Sequence, residues 1–275
     1  MYSAQVIADS VGTAHGIRIT TLAVTLPRFI LAEFNTHRIL SRNAASSRAI
    51  PIGKQIEAVV TSPFTPSRWG SNQRGMRAGA DIEDTQRASA VWLEARDAAM
   101  RAASELFSLG VHKQLANRLL EPFLWTTVVV TATNWENFFN LRTRDDVQPE
   151  FRTVALLMQD ALANSEPKRL GPEQWHLPYI SIEERSQLGT FTAAIVAAAR
   201  CARVSYLTHE GKRDTAKDVE LADRLLRSGH MSPFEHPAQS LYVPARWGNF
   251  IGWKQYRKLI PYEHDPLGER DDASE

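Results

Sequence analysis

Residues 17–48 read IRITTLAVTLPRFILAEFNTHRILSRNAASSR. The first ten are rich in β-branched side chains and roughly alternate, which predicts a strand over 17–26. Pro27 then opens PRFILAEFNTHRIL, which predicts a helix, because proline is tolerated at the first helical position. A polar stretch follows in which Arg38, Arg42 and Arg48 alternate with Ser41, Asn43, Ser46 and Ser47. Guanidinium groups beside hydroxyls are donors suited to a phosphate or another oxyanion. On composition alone the same stretch suits a solvated turn after a helix.

Outward from this stretch, residues 61–81 are rich in Ser, Pro, Gly and Arg and read as a long loop. Residues 85–109 carry Ala, Glu, Arg and Met at helical density, with Gly110 as the stop. Residues 124–133, LWTTVVVTAT, have strand composition, and 134–142 read as a helix. Pro149 starts another helix, with Phe151, Val154, Ala155, Met158, Ala161 and Leu162 on one face. Residues 166–178 read as a polar connector, 189–203 as an Ala-rich helix, and 216–228 as a helix capped by Thr215 and ended by Gly229. Strands and helices mix without regular βαβ alternation, which predicts an α+β fold. One domain over 1–275 is expected, with a polar tail, expected to fray, after Tyr262 or about 263.

Hydrophobic residues make up 43% of the chain and charged residues 23%, as in ordinary globular proteins. The net charge of +1 gives no global field for a nucleic-acid backbone, so no nucleic-acid partner is expected. Cys201 is the single cysteine, which excludes an internal disulfide framework and fits a reducing compartment. It sits in an Ala-rich helix and reads as a small core residue. The first residues, MYSAQVIADS, show no signal-peptide pattern, and no run approaches the roughly 18 apolar residues of a membrane span. A cytoplasmic protein without a membrane partner is the expectation.

Two further segments carry candidate chemistry. Residues 202–206 read ARVSY, and 229–236 read GHMSPFEH. His230, Glu235 and His236 could form a metal site, but no third strong ligand follows, and a helix stop with solvated side chains accounts for the same residues. Residues 116–122 read ANRLLEP, and 134–152 read NWENFFNLRTRDDVQPEFR. Arg142 there suits the end of a helix, where the macrodipole favours a cation.

The spacing H-R-I-x-S-x-N-x-x-S-x-R, over His37, Arg38, Ile39, Ser41, Asn43, Ser46 and Arg48, resembles the signature of the flavin-dependent thymidylate synthases, an R-H-R core followed by a spaced Ser and Arg. ARVSY with H-x-S-P-F-E-H, and Arg118, Asn137, Arg142 and the Gln148, Glu150, Arg152 pattern, resemble the same family's other hallmarks. The resemblance implies a mixed or antiparallel sheet flanked by helices. It implies FAD held by His37, Arg38, Ile39, His230, Ser232, Glu235 and Asn137, with Thr36 at the position of the first Arg of the triplet. It places a nucleotide phosphate on Ser46, Ser47, Arg48 and Arg118 and the pyrimidine against Glu33 and Arg142, with Arg142 and Ser46 as catalytic positions. The implied reaction converts dUMP to dTMP with methylenetetrahydrofolate as carbon donor, reduced FAD as hydride source and NADPH as reductant, in a homotetramer with shared sites. Cys201 is then not needed as a nucleophile. Three positions depart from the family pattern: Glu33 for Gln, Thr36 for Arg and Ala44 for Glu. They leave open a related C5-alkylating enzyme on another pyrimidine nucleotide, or a nucleotide- or flavin-binding protein without catalysis. The S-P-F-E-H block lies after the R-H-R block, the reverse of the family order. GNFIGWKQYRK, after it, looks like a worn copy of PRFILAEFNTHR. Circular permutation explains both.

Overall fold

The computed structural model describes residues 1–206 and 214–263; the tail expected after about 263 lies outside them. Strands β1 (Ser3–Gly12) and β2 (Arg18–Pro27) form a hairpin. The 3₁₀ turn Arg28–Ile30 and the four-residue helix α1 (Leu31–Phe34) lead to β3 (Ser41–Ala44). Helices α2 (Ile52–Thr61) and α3 (Thr85–Ser108) flank the long loop, and α4 (Lys113–Ala116) with the 3₁₀ segment Asn117–Phe123 leads into β4 (Trp125–Ala132). Then come α5 (Glu136–Arg142), α6 (Pro149–Ala163), β5 (Lys168–Leu170), β6 (Trp175–His176), α7 (Ile182–Leu188), α8 (Thr190–Ala202) and α9 (Thr215–Arg227). The chain closes with β7 (Ala238–Ser240), β8 (Arg246–Trp247), β9 (Phe250–Ile251) and β10 (Trp253–Gln255).

The main sheet runs β3-β4-β2-β1-β5 and is antiparallel except for β5, which lies parallel to β1. Alternation sends Leu22, Val24 and Leu26 of β2 and Val128, Val130 and Ala132 of β4 to one face. There they meet Phe34 and the apolar stripe of α6, Phe151, Val154, Ala155, Met158 and Leu162, as the periodicity predicts. Each such side chain contributes about 1.5–3 kcal/mol when fully buried. The other face carries Thr21, Val129 and Thr131, and Cys201 of α8 packs on Val129. Three ion pairs, each with at least one buried partner, tie α7, α8 and α9 together: Arg200–Glu184 at 2.7 Å, Arg200–Asp218 at 2.9 Å and Arg203–Asp218 at 2.9 Å.

Several expectations change. The helix after Pro27 stops at Phe34, and tight turns occupy residues up to Leu40. The connector over 166–178 contains β5 and β6, and β1 and α2 had no expectation at all. Asp214, not Thr215, caps α9, accepting from the Lys217 backbone N–H. Gly110 and Gly229 stop α3 and α9 with φ of 84° and 70°, the left-handed values glycine tolerates. PRFILAEFNTHR and GNFIGWKQYRK fold differently, the first through α1 and the second through β9, a left-handed Gly252 and β10.

Candidate active site

The turns after α1 decide which side chains of the His37 segment point inward. His37 N–H donates to the Phe34 carbonyl and Leu40 N–H to the His37 carbonyl. His37 is thereby buried, while Glu33, Thr36 and Arg38 are exposed and Ile39 is half-buried. The His37 ring packs edge-on against Phe138, 4.9 Å between centroids, and tilts against Phe151 at 6.0 Å. Arg142, the last residue of α5, donates from Nε to His37 Nε2 at 2.8 Å, and its guanidinium carbon lies 4.3 Å from the Phe151 ring centre. Burial, then Arg142 and Arg42, push the imidazole down to about 4, so it is neutral. Burial also lowers Arg142, and the Glu33 carboxylate opposes that shift. The side-chain hydroxyl of Thr36 is turned back onto the Glu33 carbonyl, at 2.7 Å.

The 3₁₀ turn Ser232–Glu235 packs against β3 and α8, so the two hallmark segments meet in space. Arg42 donates to the His37 carbonyl at 2.5 Å and feels the Glu235 charge. Glu235 itself is paired with Arg257 at 2.6 Å. Ser232, His230 and Asn137 are exposed. The possible metal triad does not assemble: His230 bonds Ser228, Glu235 bonds Arg257, and His236 Nδ1 bonds the Thr131 hydroxyl at 2.8 Å. That last contact ends a buried chain, Ser10–His176–Thr21–Thr131–His236, with links of 2.9, 2.9, 2.6 and 2.8 Å. Burial drives both imidazoles of the chain to about 3.

The second group lies before β4. Buried Ser47 donates to Glu121 Oε1 at 2.5 Å, and Arg28 and Arg118 each approach that same oxygen to 3.0 Å. Asn117 fixes the turn by donating to the carbonyls of Ser47 and Ile50. Burial works against the Glu121 charge, but Ser47, Arg28 and Arg118 outweigh it and hold the carboxyl below its ordinary range. Ser46 is half-buried and Arg48 exposed beside them. Glu121 and Arg28 had no expectation attached, although Glu121 stands inside the ANRLLEP motif. Its signal was a carboxylate beside an arginine otherwise read as an anion ligand.

The family profile described as "Thymidylate synthase complementing protein" matches residues 13–168, more than half of the chain. The chain belongs to the flavin-dependent thymidylate synthase family. Among solved structures it is similar in fold to the UMP/dUMP methylase PolB from Streptomyces cacaoi bound with 5-Br UMP, with 17% identity and a TM-score of 0.50 over 59% of this chain and 89% of that one. The same methylase bound with 5-Br dUMP gives 15% identity and a TM-score of 0.48 over 59% and 90%. No curated protein matches the chain. The matched range contains the His37–Arg48 and Arg118–Arg142 positions, whereas the S-P-F-E-H block lies outside it and joins the site through packing on β3.

The single cysteine lies in the core, packed with Val129 and Val204 beside Ala45 and Tyr179. Cys201 is fully buried, and burial pushes its thiol far above the ordinary range, away from the thiolate a nucleophile requires. Among the described residues no helix is long and apolar enough to cross a membrane.

Proposed function

We propose that the chain moves a one-carbon unit from methylenetetrahydrofolate to C5 of dUMP, giving dTMP, with FAD as cofactor and NADPH as reductant. The observation that carries this reading is the convergence of separately encoded hallmark segments: Arg142 meets His37, and the Glu235 turn lies against Arg42. Arg142 stabilises negative charge that develops on the pyrimidine, as a fixed cation in a partly desolvated site does. Arg38, the Arg42 region, Ser232 and Glu235 hold FAD. The donor set fits that group, since permanent cations suit its pyrophosphate and polar side chains suit its ring edge. Reduced FAD supplies the hydride that completes the methyl group. Ser46, Ser47, Arg48 and Arg118 hold the 5′-phosphate.

The proposal extends to the homotetramer with shared sites, in the cytoplasm, that the family resemblance implies. The rotated order of the hallmark segments is consistent with circular permutation, because packing brings them together regardless of order.

A second reading follows from Glu33, whose charge acts on Arg142. A carboxylate accepts from an exocyclic amine, so cytosine nucleotides compete with uracil nucleotides if Glu33 reaches the base. The test is reconstitution with FAD, followed by tritium release from [5-³H]dUMP and parallel titrations of dUMP and dCMP. Bound yellow chromophore and tritium release are expected. A protein that takes up no FAD by calorimetry or fluorescence quenching overturns the proposal. A preference for dUMP that Glu33→Gln leaves unchanged removes the second reading.

A further inference from the structure

The resemblance assigns His37 to FAD, but its ring makes a different contact. Nε2 accepts from Arg142 Nε, so it carries the lone pair and the proton of the neutral imidazole sits on Nδ1. The two residues are 105 positions apart, and nothing in either motif couples them. The ring packs on Phe138 and Phe151, and Arg42 and the Leu40 N–H hold its backbone carbonyl. The guanidinium is held from two directions as well, by His37 at Nε and by the face of Phe151. Its two terminal nitrogens make no hydrogen bond or ion pair among the described residues.

We propose that His37 is a positioning residue, which grips the Nε edge of Arg142 and leaves the two terminal nitrogens as the donors offered to the pyrimidine. The inference rests on Arg142 as the base-binding arginine. Its physical basis is that an arginine side chain is long and rotamer-rich, so an unanchored guanidinium loses entropy when a ligand fixes it. A neutral imidazole is the right anchor, because it accepts at Nε without cancelling the positive charge that the base requires. A carboxylate at the same place would pair with the guanidinium and neutralise it. Burial first, and then the cations Arg142 and Arg42, keep the ring in the accepting form.

The test is a set of dUMP titrations by calorimetry on the full chain, with FAD present and absent. The variants are His37→Leu, His37→Gln, Arg142→Ala and His37→Leu with Arg142→Ala. His37→Leu keeps the volume and removes the acceptor, and dUMP is expected to weaken about tenfold. His37→Gln offers an amide oxygen to Arg142 Nε and is expected to recover to within about threefold of the parent. In the Arg142→Ala background His37→Leu is expected to cost nothing further, the signature of one residue acting through the other. The same tenfold loss in that background overturns the proposal and assigns His37 a contact of its own. An Arg142→Ala protein that binds dUMP normally removes the base-binding reading itself, a separate failure. If His37→Leu does not fold, the ¹⁵N shifts of His37 in the unaltered protein decide: a proton on Nδ1 is expected, and one on Nε2 overturns the proposal.

Discussion

Acidification from pH 6.5 to 5 is expected to destabilise the fold chiefly through His176 and His236. Both imidazoles lie in the buried Ser10–His176–Thr21–Thr131–His236 chain, and both are 1% exposed or less. Burial takes each from an ordinary 6.5 to about 3, helped in His236 by its neighbour His176 and opposed in His176 by Asp9. Below about pH 6.5 the unfolded chain binds a proton at each ring while the folded chain does not. The unfolded state therefore holds more protons throughout this window, and stability must fall as the pH falls. Each ring contributes a slope that approaches 1.4 kcal/mol per pH unit, so 1.5 units remove roughly 1.5–2 kcal/mol per ring and about 3–4 kcal/mol from the pair. That is a large share of a typical stability of about 5–15 kcal/mol. His37, held at about 4, acts in the same direction. Carboxylates stay mostly ionised in this window and contribute little. Urea unfolding at pH 6.5, 6.0, 5.5 and 5.0 measures the slope, and His236→Gln tests its origin. The variant is less stable at every pH, because it disrupts a buried network, so the slope is the decisive quantity. The loss across the window is expected to shrink by roughly 1.5–2 kcal/mol. An unchanged slope would show that His236 is already charged in the folded protein and would refute the reasoning.

Four further variants test the site. Arg118→Ala is expected to weaken dUMP by about 1.5–3 kcal/mol while leaving deoxyuridine nearly unchanged, and Glu121→Gln, which removes the carboxylate that shares Ser47 and Arg118 with a phosphate, is expected to strengthen dUMP several-fold. Equal losses for nucleotide and nucleoside, or weaker dUMP binding in Glu121→Gln, would show that this group does not read the phosphate. Cys201→Ala is expected to keep tritium-release activity at a stability cost of about 1 kcal/mol, while Arg142→Ala loses most of its activity. A folded but inactive Cys201→Ala protein would refute a mechanism without a cysteine nucleophile.

What the sequence alone determined was the set of strongly periodic elements. The β-branched runs of β2 and β4 and the stripe of α6 each bury one face, and that burial writes a period into the residues. Helix α3 and the stop at Gly110 were legible for a different reason, since helix propensity and a left-handed glycine are local properties. The motifs that place the chain in its family were equally legible, because their spacing survives in single segments. What tertiary structure decided is whatever depends on a partner distant in the chain. Strand β1 is mostly half-exposed, its alternation is broken by a bulge between Val6 and Ala8, and it is a strand because β2 pairs with it along its length. Strands β5 and β6, of three and two residues, exist only through their neighbours β1 and β7. The helix at Pro27 ends early because Phe34 is drawn into the core against Phe138 and Phe151, which turns the following residues inward. The site follows the same division. His37, Arg142, Ser47 and Arg118 were candidates from their motifs, but the grip of His37 on Arg142 joins residues 105 apart and that of Ser47 on Glu121 joins residues 74 apart. No local pattern encodes such contacts, because they arise when the folded sheet sets the distance between the segments that carry them.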